Sequence, residues 1–239
     1  MGSKVGIPKP SLRRLPFYYR WLRRAIEEGT TVVSSKELGS SIGVPGAQVR
    51  KDLSYIAEYG RPGIGYNARS LAAHLEEFLG LMNDKEAVLV GVGNLGRALI
   101  LYPGFARYGL HIVALFDSDP AKVGQMVGGR QVFPVERLTE LVGRLQVQMG
   151  IITVPADAAQ EVATAMVAGG IQVIWNFAPV RLVAPEHVFV KDEDLAAQLA
   201  TLSHHISRYK IDQRNKNENA NENANANEAL PHTVEETTS

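Results

Sequence analysis

The sequence predicts an α/β protein: an N-terminal winged helix-turn-helix domain, then a Rossmann-like parallel-sheet domain, then one last helix. Three observations carry that class. Short helical periodicities punctuated by glycine fill the first part of the chain. An apolar run leads straight into Gly91-x-Gly93-x-x-Gly96, and later apolar runs alternate with helical segments. The expected divisions are a winged helix over 1–70, a linker helix over 71–85, a Rossmann-like domain over 86–191, a C-terminal helix over 192–211 and a disordered tail over 212–239.

Composition narrows the function classes. With 239 residues, 45% of them hydrophobic and 21% charged, the chain reads as a soluble globular protein of one or two domains. No apolar run is long enough for a membrane span, and residues 1–11 hold two prolines and no apolar core, so the expected location is cytoplasmic. The absence of cysteine removes disulfides, thiolate metal ligands and thiol-based redox sensing, and no metal is expected. Any redox response must come through a bound cofactor. The net charge is zero, yet residues 1–70 carry 12 Lys plus Arg against 5 Asp plus Glu, an excess of seven positive charges balanced by the remainder. That asymmetry points to a polyanion partner for the first part alone.

The first helix is expected to begin near Leu15, with Pro16 in its first turn, and to bury Tyr18, Leu22, Ala25 and Ile26 while Arg20, Arg23 and Arg24 lie elsewhere. Gly29 ends it. Ser34-Ser35-Lys36-Glu37 has the form of a capping box ahead of Leu38 and Ile42, and Gly43 stops that helix. A third helix is expected from Gly46 to about Glu58. Its Val49, Leu53 and Ile56 form a buried stripe, and Gln48, Lys51, Asp52 and Tyr55 form a polar one. The segment 59–66, with three glycines and a proline around Ile64, reads as the hairpin tip of a wing.

The second domain opens on the apolar run 87–90. Gly91 permits the tight turn, Gly93 lets backbone approach a pyrophosphate, and Gly96 allows close helix–strand contact, with Val92, Asn94 and Leu95 completing the loop. A second apolar run, 112–116, ends in Asp117, where an acid can accept hydrogen bonds from the ribose of an adenosine. No arginine follows within 118–121 to neutralise a 2′-phosphate, so NAD(H) is expected over NADP(H). The runs 150–154 and 172–177 read as further parallel strands, with a helix over 158–168 between them. Thr153, Val154 and Pro155, and likewise Asn176, Phe177 and Ala178, then fall at the carboxyl edge where such sheets bind ligands. In the last helix Leu195, Leu199, Leu202, Ile206 and Tyr209 form a stripe for a core or a partner.

Several stretches together carry a family likeness. They are Arg14-Leu15-Pro16-x-Tyr18-x-Arg20-x-Leu22, the run 47–55, Gly63-Ile64-Gly65-Tyr66, the run 91–96, Tyr102-Pro103-Gly104-Phe105, Phe116-Asp117-Ser118-Asp119-Pro120 and Asn176-Phe177-Ala178-Pro179-Val180. In this order, from about residue 8 to about residue 208, they resemble the Rex redox-sensing transcriptional repressors. The resemblance implies a homodimer whose C-terminal helix crosses to the other protomer. It also implies binding to an inverted-repeat operator in double-stranded DNA with NAD⁺ or no ligand, and release when NADH binds. Gln48 and Lys51 would then reach base edges beside Tyr55, Arg50 would serve phosphate, and Arg61 would enter the minor groove from the wing. The family places an arginine directly before Gly-x-Gly-Tyr; that position is Pro62 here and Arg61 stands one residue earlier. A Ser or Thr common before the Ala-Gln pair is Gly46. The switch residues implied are Arg20, Tyr102 and Asp194, with Asp192 close by.

Two other readings compete. An NAD-dependent dehydrogenase with an accessory domain needs a general acid or base near the nicotinamide, but His74, His111, His187, His204, His205 and His232 all fall away from the strand ends that would flank the cofactor. A CoA-binding protein would share the fold while leaving Asp117 and the basic N-terminal part unexplained. The expectation is therefore a non-enzymatic regulator with no catalytic residue.

Overall fold

A computed structural model of the chain describes residues 6–56 and 60–194, and residues 196–212 except 198, 201 and 205. The chain divides into two compact units. The first comprises Met1–Glu86 with Tyr102–His111, and the second comprises Ala87–Leu101 with Ile112–Ser239.

In the first unit, α1 (Lys9–Glu27), α2 (Ser35–Ile42), α3 (Gly46–Ser54) and α4 (Ala68–Phe78) surround a core that includes Leu15, Tyr18, Leu22, Leu38, Val49, Leu53, Leu71 and Leu75. Helix α1 starts almost two turns before the expected position, behind an N-cap at Pro8, so Pro16 lies inside the helix rather than in its first turn. Pro16 has no N–H to offer the Leu12 carbonyl. Burying Leu15, Tyr18 and Leu22 on one face, at about 1.5–3 kcal/mol for each large side chain, outweighs that loss.

The capping box forms as expected. Ser34 Oγ accepts from the Glu37 amide at 3.1 Å, Glu37 Oε2 accepts from the Ser34 amide at 2.7 Å, and Gly43 closes α2 with φ 73°. Helix α3 ends at Ser54, short of Glu58, which together with Tyr59 lies outside the described residues.

The wing is a two-stranded antiparallel ladder of β1 (Val32–Val33) and β2 (Tyr66–Asn67). At its tip the Arg61 amide donates to the Gly65 carbonyl at 2.8 Å and the Gly65 amide returns a bond at 2.9 Å, a reversal that uses φ 75° at Gly63 and 103° at Gly65. Helix α4 corrects the expectation of a linker. Asn67 Oδ1 caps it at the Ser70 amide, and Ala68, Leu71, Ala72 and Leu75 bury its apolar face in the first unit's core. A helix with so continuous a stripe is a fourth wall of that core.

The second unit is a seven-stranded sheet. Its strands are β3 (Lys85–Val90), β4 (Leu110–Asp117), β5 (Met126–Val127), β6 (Arg130–Pro134), β7 (Met149–Ile152), β8 (Val173–Asn176) and β9 (Phe189–Asp192), in the order β5-β6-β4-β3-β7-β8-β9. Pairs β4–β6, β3–β7, β7–β8 and β8–β9 are parallel, and β5 joins β6 as an antiparallel edge. Without β5 this is the doubly wound order of dinucleotide-binding sheets, which reverses on either side of its first strand, β3. Residues 87–90 of that strand are buried, as a central strand covered on both faces requires. Helices α5 (Asn94–Ile100), α6 (Leu138–Leu145) and α7 (Ala156–Ala168) follow β3, β6 and β7. The described residues of 196–212 are helical and expose Leu199, Leu202, Ile206 and Tyr209. Leu195 and the tail beyond 212 lie outside the described residues.

Candidate functional site

A cleft of about 910 Å³ opens at the carboxyl edge of the second unit's sheet. It lies where the strand order reverses. Gly91, Gly93 and Leu95 line it after β3, Asp117, Ser118, Asp119 and Lys122 after β4, Val135 and Glu136 after β6, Thr153, Val154 and Pro155 after β7, and Phe177 after β8.

The three glycines do different work. Gly91 has φ 100°, and a Cβ there would sit 2.7 Å from the Thr153 carbonyl oxygen. At Gly96 a Cβ would collide with the Gly91 carbonyl oxygen and lie 3.0 Å from Thr153 Oγ1. Both positions are closed by the protein itself, and Thr153 Oγ1 ties the turn together by donating to Gly91 O at 2.7 Å. A Cβ on Gly93, by contrast, would have nothing within 4 Å, at an ordinary φ of −83°. Its missing side chain leaves open room at the cleft wall. That is the fit a pyrophosphate close to backbone requires.

Asp117 terminates β4 and is almost completely buried. Its Oδ2 accepts from the Val92 amide at 2.7 Å and from Lys122 Nζ at 3.1 Å, and its Oδ1 accepts from the Asp119 amide at 2.9 Å. Burial pushes the carboxyl up, but the Asp119 and Val92 amides and the Lys122 ammonium outweigh it and hold the group below the usual aspartate value. Asp117 thus fixes the glycine loop as well as facing the cleft.

Several expected cofactor residues do not line this cleft. Asn176 is fully buried: its Nδ2 donates to the Val180 carbonyl and to Asp192 Oδ1, each at 2.8 Å, and its Oδ1 accepts from the Ala178 amide at 2.9 Å. With these partners Asn176 is a strand-end brace, and buried Ala178 is part of the same turn. Val92 and Gly96 are buried behind the loop, and Asn94 is exposed at the start of α5 without lining the cleft. Conversely, Lys122, Val135 and Glu136 line the cleft unanticipated. Lys122 directly follows 118–121, the stretch without an arginine, whereas Val135 and Glu136 follow β6, a strand whose five residues carry no clear periodicity. No described histidine lines the cleft.

In the first unit, Asp52 proves to be a core group rather than part of a polar stripe. Arg14 holds it through Nε at 2.6 Å and Nη2 at 2.8 Å, Tyr18 Oη donates at 2.9 Å, and Gln48 Nε2 donates at 2.8 Å. Its side chain is 0% exposed. Burial raises the carboxyl, and the bonds from Arg14, Gln48, Ser11 and Tyr18 more than reverse that, so it stays below the ordinary range. Burial, and then Asp52, push the Tyr18 hydroxyl well above the usual tyrosine range, so it keeps its proton.

The outer face of α3 therefore presents Lys51 and Arg50, both exposed, with Arg50 Nη1 donating to Ser35 Oγ at 2.9 Å. Gln48 and Tyr55 are half-buried, and Arg61 is exposed on the wing. Arg20 and Tyr102 line one cleft of about 820 Å³ within this unit. The Arg20 guanidinium lies 5.3 Å from the Phe17 ring centroid, and Tyr102 packs edge-on against Phe105 at 5.1 Å. Asp194 belongs to the second unit, where its Oδ1 accepts from the Ala197 amide at 2.8 Å. Asp192 is taken by Asn176. Among the described residues no helix is long and apolar enough to cross a membrane, and no cluster of three metal-ligating side chains occurs.

Comparison with known proteins adds three findings. Residues 6–54 match the family model described as a putative DNA-binding protein N-terminus, and residues 82–180 match the CoA binding domain. The redox-sensing transcriptional repressor Rex of Chloroflexus aurantiacus is 45% identical over 201 residues, covering 84% of this chain and 95% of that protein. Among solved structures, RSP, a Rex-family repressor, aligns in its complex with β-NAD⁺ and operator DNA at TM-score 0.82 and 32% identity, over 90% of this chain and 99% of that one. Its β-NADH complex aligns at TM-score 0.78 and 31% identity over 87% and 98%.

Proposed function

The chain belongs to the Rex family of redox-sensing transcriptional repressors, and we propose that it senses the NADH/NAD⁺ ratio, binding operator DNA as a homodimer with NAD⁺ or no ligand and releasing it when NADH binds. It is a repressor rather than an enzyme, and its place of action is the cytoplasm. The observation that carries the ligand assignment is the contrast among the glycines: a Cβ at Gly91 or Gly96 would meet protein atoms, while at Gly93 it would meet open space, and Gly93 lines the cleft. The bound dinucleotide supplies the signal, a difference of one positive charge at the nicotinamide. The chain's own residues supply the rest. Thr153 holds the glycine turn, Asp117 presents a carboxylate to the adenosine ribose, and Val154, Pro155 and Phe177 exclude water from the cleft wall.

For DNA, the assignment rests on the excess of basic residues in the first unit and on the exposed face of α3. Two-fold symmetry would set two α3 helices in successive major grooves, about 34–36 Å apart. Lys51 reads base edges and Arg50 contacts phosphate. Gln48 stands beside them, oriented by Asp52, Tyr55 closes the stripe, and Arg61 carries the wing toward the minor groove. The exposed apolar stripe of 196–212 supports the homodimer, since its Leu199, Leu202 and Ile206 need a cover. Arg20, Tyr102 and Asp194 form the switch across protomers. A gel-shift titration on an inverted-repeat operator tests the whole reading: NADH should release DNA at concentrations where NAD⁺ does not. Release by both dinucleotides alike would refute it, because a ligand that binds both states equally shifts nothing.

A further inference from the structure

We propose that Lys122 is a specificity-determining residue of the adenosine ribose subsite, its ammonium setting how strongly the cleft rejects a 2′-phosphate. The proposal rests on the dinucleotide reading above. Lys122 Nζ lies 3.1 Å from Asp117 Oδ2 and 3.7 Å from Asp119 Oδ2, with 31% of the side chain exposed. Among the described residues that line the cleft it is the one cation, against the acids Asp117, Asp119, Glu136 and Glu161.

The hydrogen-bond capacity of Asp117 sharpens its role. A carboxylate offers about four acceptor positions. Val92, Asp119 and Lys122 occupy three of them. One position remains, on Oδ1, enough for a single ribose hydroxyl. The second ribose oxygen must find a donor elsewhere, and the Lys122 ammonium has three N–H bonds, of which Asp117 takes one at hydrogen-bond distance. The same ammonium would meet the phosphate of a 2′-phosphorylated dinucleotide. Lys122 therefore both completes diol recognition and softens the repulsion that four acids exert on a dianion.

The two effects separate experimentally. Removing the cation costs a neutral diol one hydrogen bond, whereas it exposes a phosphate carrying about two negative charges to unrelieved acids. Lys122→Met, which keeps the aliphatic stem, should lower affinity for both NADH and NADPH. The ratio of NADH to NADPH affinity should rise about tenfold or more, since one ion pair near a protein surface is readily worth that factor. Lys122→Arg should restore the wild-type ratio, and added salt should shrink the Met effect.

Isothermal calorimetry on the full chain provides the measurement, with NADPH also titrated in competition against NADH. Lys122→Gln serves as a second neutral variant if Met unfolds the loop. An equal loss for both dinucleotides, or an unchanged ratio, overturns the inference and leaves Lys122 as a prop for the turn. A wild-type chain that binds neither dinucleotide overturns the underlying reading as well, and the two failures are thereby distinguished.

Discussion

Replacing Asp52 should separate the first unit's stability from the second's. In Asp52→Ala the Tyr18 hydroxyl, in a fully buried side chain, loses its acceptor, a loss of about 1–3 kcal/mol. Arg14 loses both bonds to the carboxylate but is 23% exposed, so it can still reach water. Its contribution belongs near the low end of the 3–5 kcal/mol associated with breaking a buried ion pair. Together these give an expected destabilisation of about 4–6 kcal/mol. Tyr18→Phe, which leaves Arg14 and Gln48 on the carboxylate, should cost only about 1 kcal/mol.

The chain has two tryptophans, Trp21 in the first unit and Trp175 in the second. Urea unfolding followed by Trp21 fluorescence in a Trp175→Phe background therefore reads the first unit directly. The folded carboxyl of Asp52 is held below its unfolded value, so the stabilisation is present above about pH 4 and disappears as pH falls through the folded value. The gap between wild type and Asp52→Asn should accordingly close in acid and stay constant from pH 5 to 8. An Asp52→Ala loss no larger than that of Tyr18→Phe would refute the reasoning, because it would mean that the network carries no more than one neutral hydrogen bond.

The other expectations follow from single contacts. Gly93→Ala should leave the thermal midpoint within a degree or two while weakening NADH binding at least tenfold, since its Cβ meets only the space assigned to ligand, whereas Gly96→Ala should unfold the second unit locally; calorimetry and circular dichroism distinguish them. Lys51→Ala should flatten discrimination among operator variants by about 1–3 kcal/mol at one base position, while Arg50→Ala should weaken all sequences alike and reduce the salt slope by about one. Asp194→Ala should shift the NADH midpoint for operator release several-fold, in keeping with coupling energies of about 1–3 kcal/mol, with dinucleotide affinity retained. Asp192→Ala should instead loosen the Asn176 turn and weaken dinucleotide binding without moving the coupling.

Elements whose stability is local were legible in the sequence. The capping box at Ser34, the αL stop at Gly43 and the glycine turn after β3 each depend on a few neighbouring residues, and the structure returns them as read. Where tertiary packing decides, the sequence and the structure differ. Local preference puts Pro16 in a first turn, yet the helix extends back to Lys9, almost two turns before Leu15, and its buried face begins at Ser11. Helix α4 looked like a connector in sequence and is core in space, because a stripe of Ala68, Leu71, Ala72 and Leu75 says that a surface is buried but not which one it is buried against. Strand β6 escaped notice because only Val132 of its five residues is fully buried, and with it went the Val135 and Glu136 wall of the cleft.

Asp117, Asn176 and Gln48 show why a motif gives a residue's chemistry more securely than its task. Each was singled out for what its side chain can accept or donate, and each meets protein partners first. Asn176 gives both Nδ2 donors and one acceptor position of Oδ1 to its own turn, which leaves a single acceptor position beyond it. Asp117 gives three acceptor positions to the loop and keeps one, room for a single ribose hydroxyl on the proposed reading. Gln48 spends one donor on Asp52, so its remaining donor and its carbonyl oxygen can meet a base only in the orientation that the Arg14–Asp52 pair imposes. On the proposed roles, recognition at both sites would be set by what buried carboxylates leave over. For α3, if Gln48 reads bases as proposed, the Arg14–Asp52–Gln48 chain of bonds would tie that reading to the position of α1, so that Arg14→Ala should reorient Gln48 and change base discrimination in a gel-shift series of operator variants.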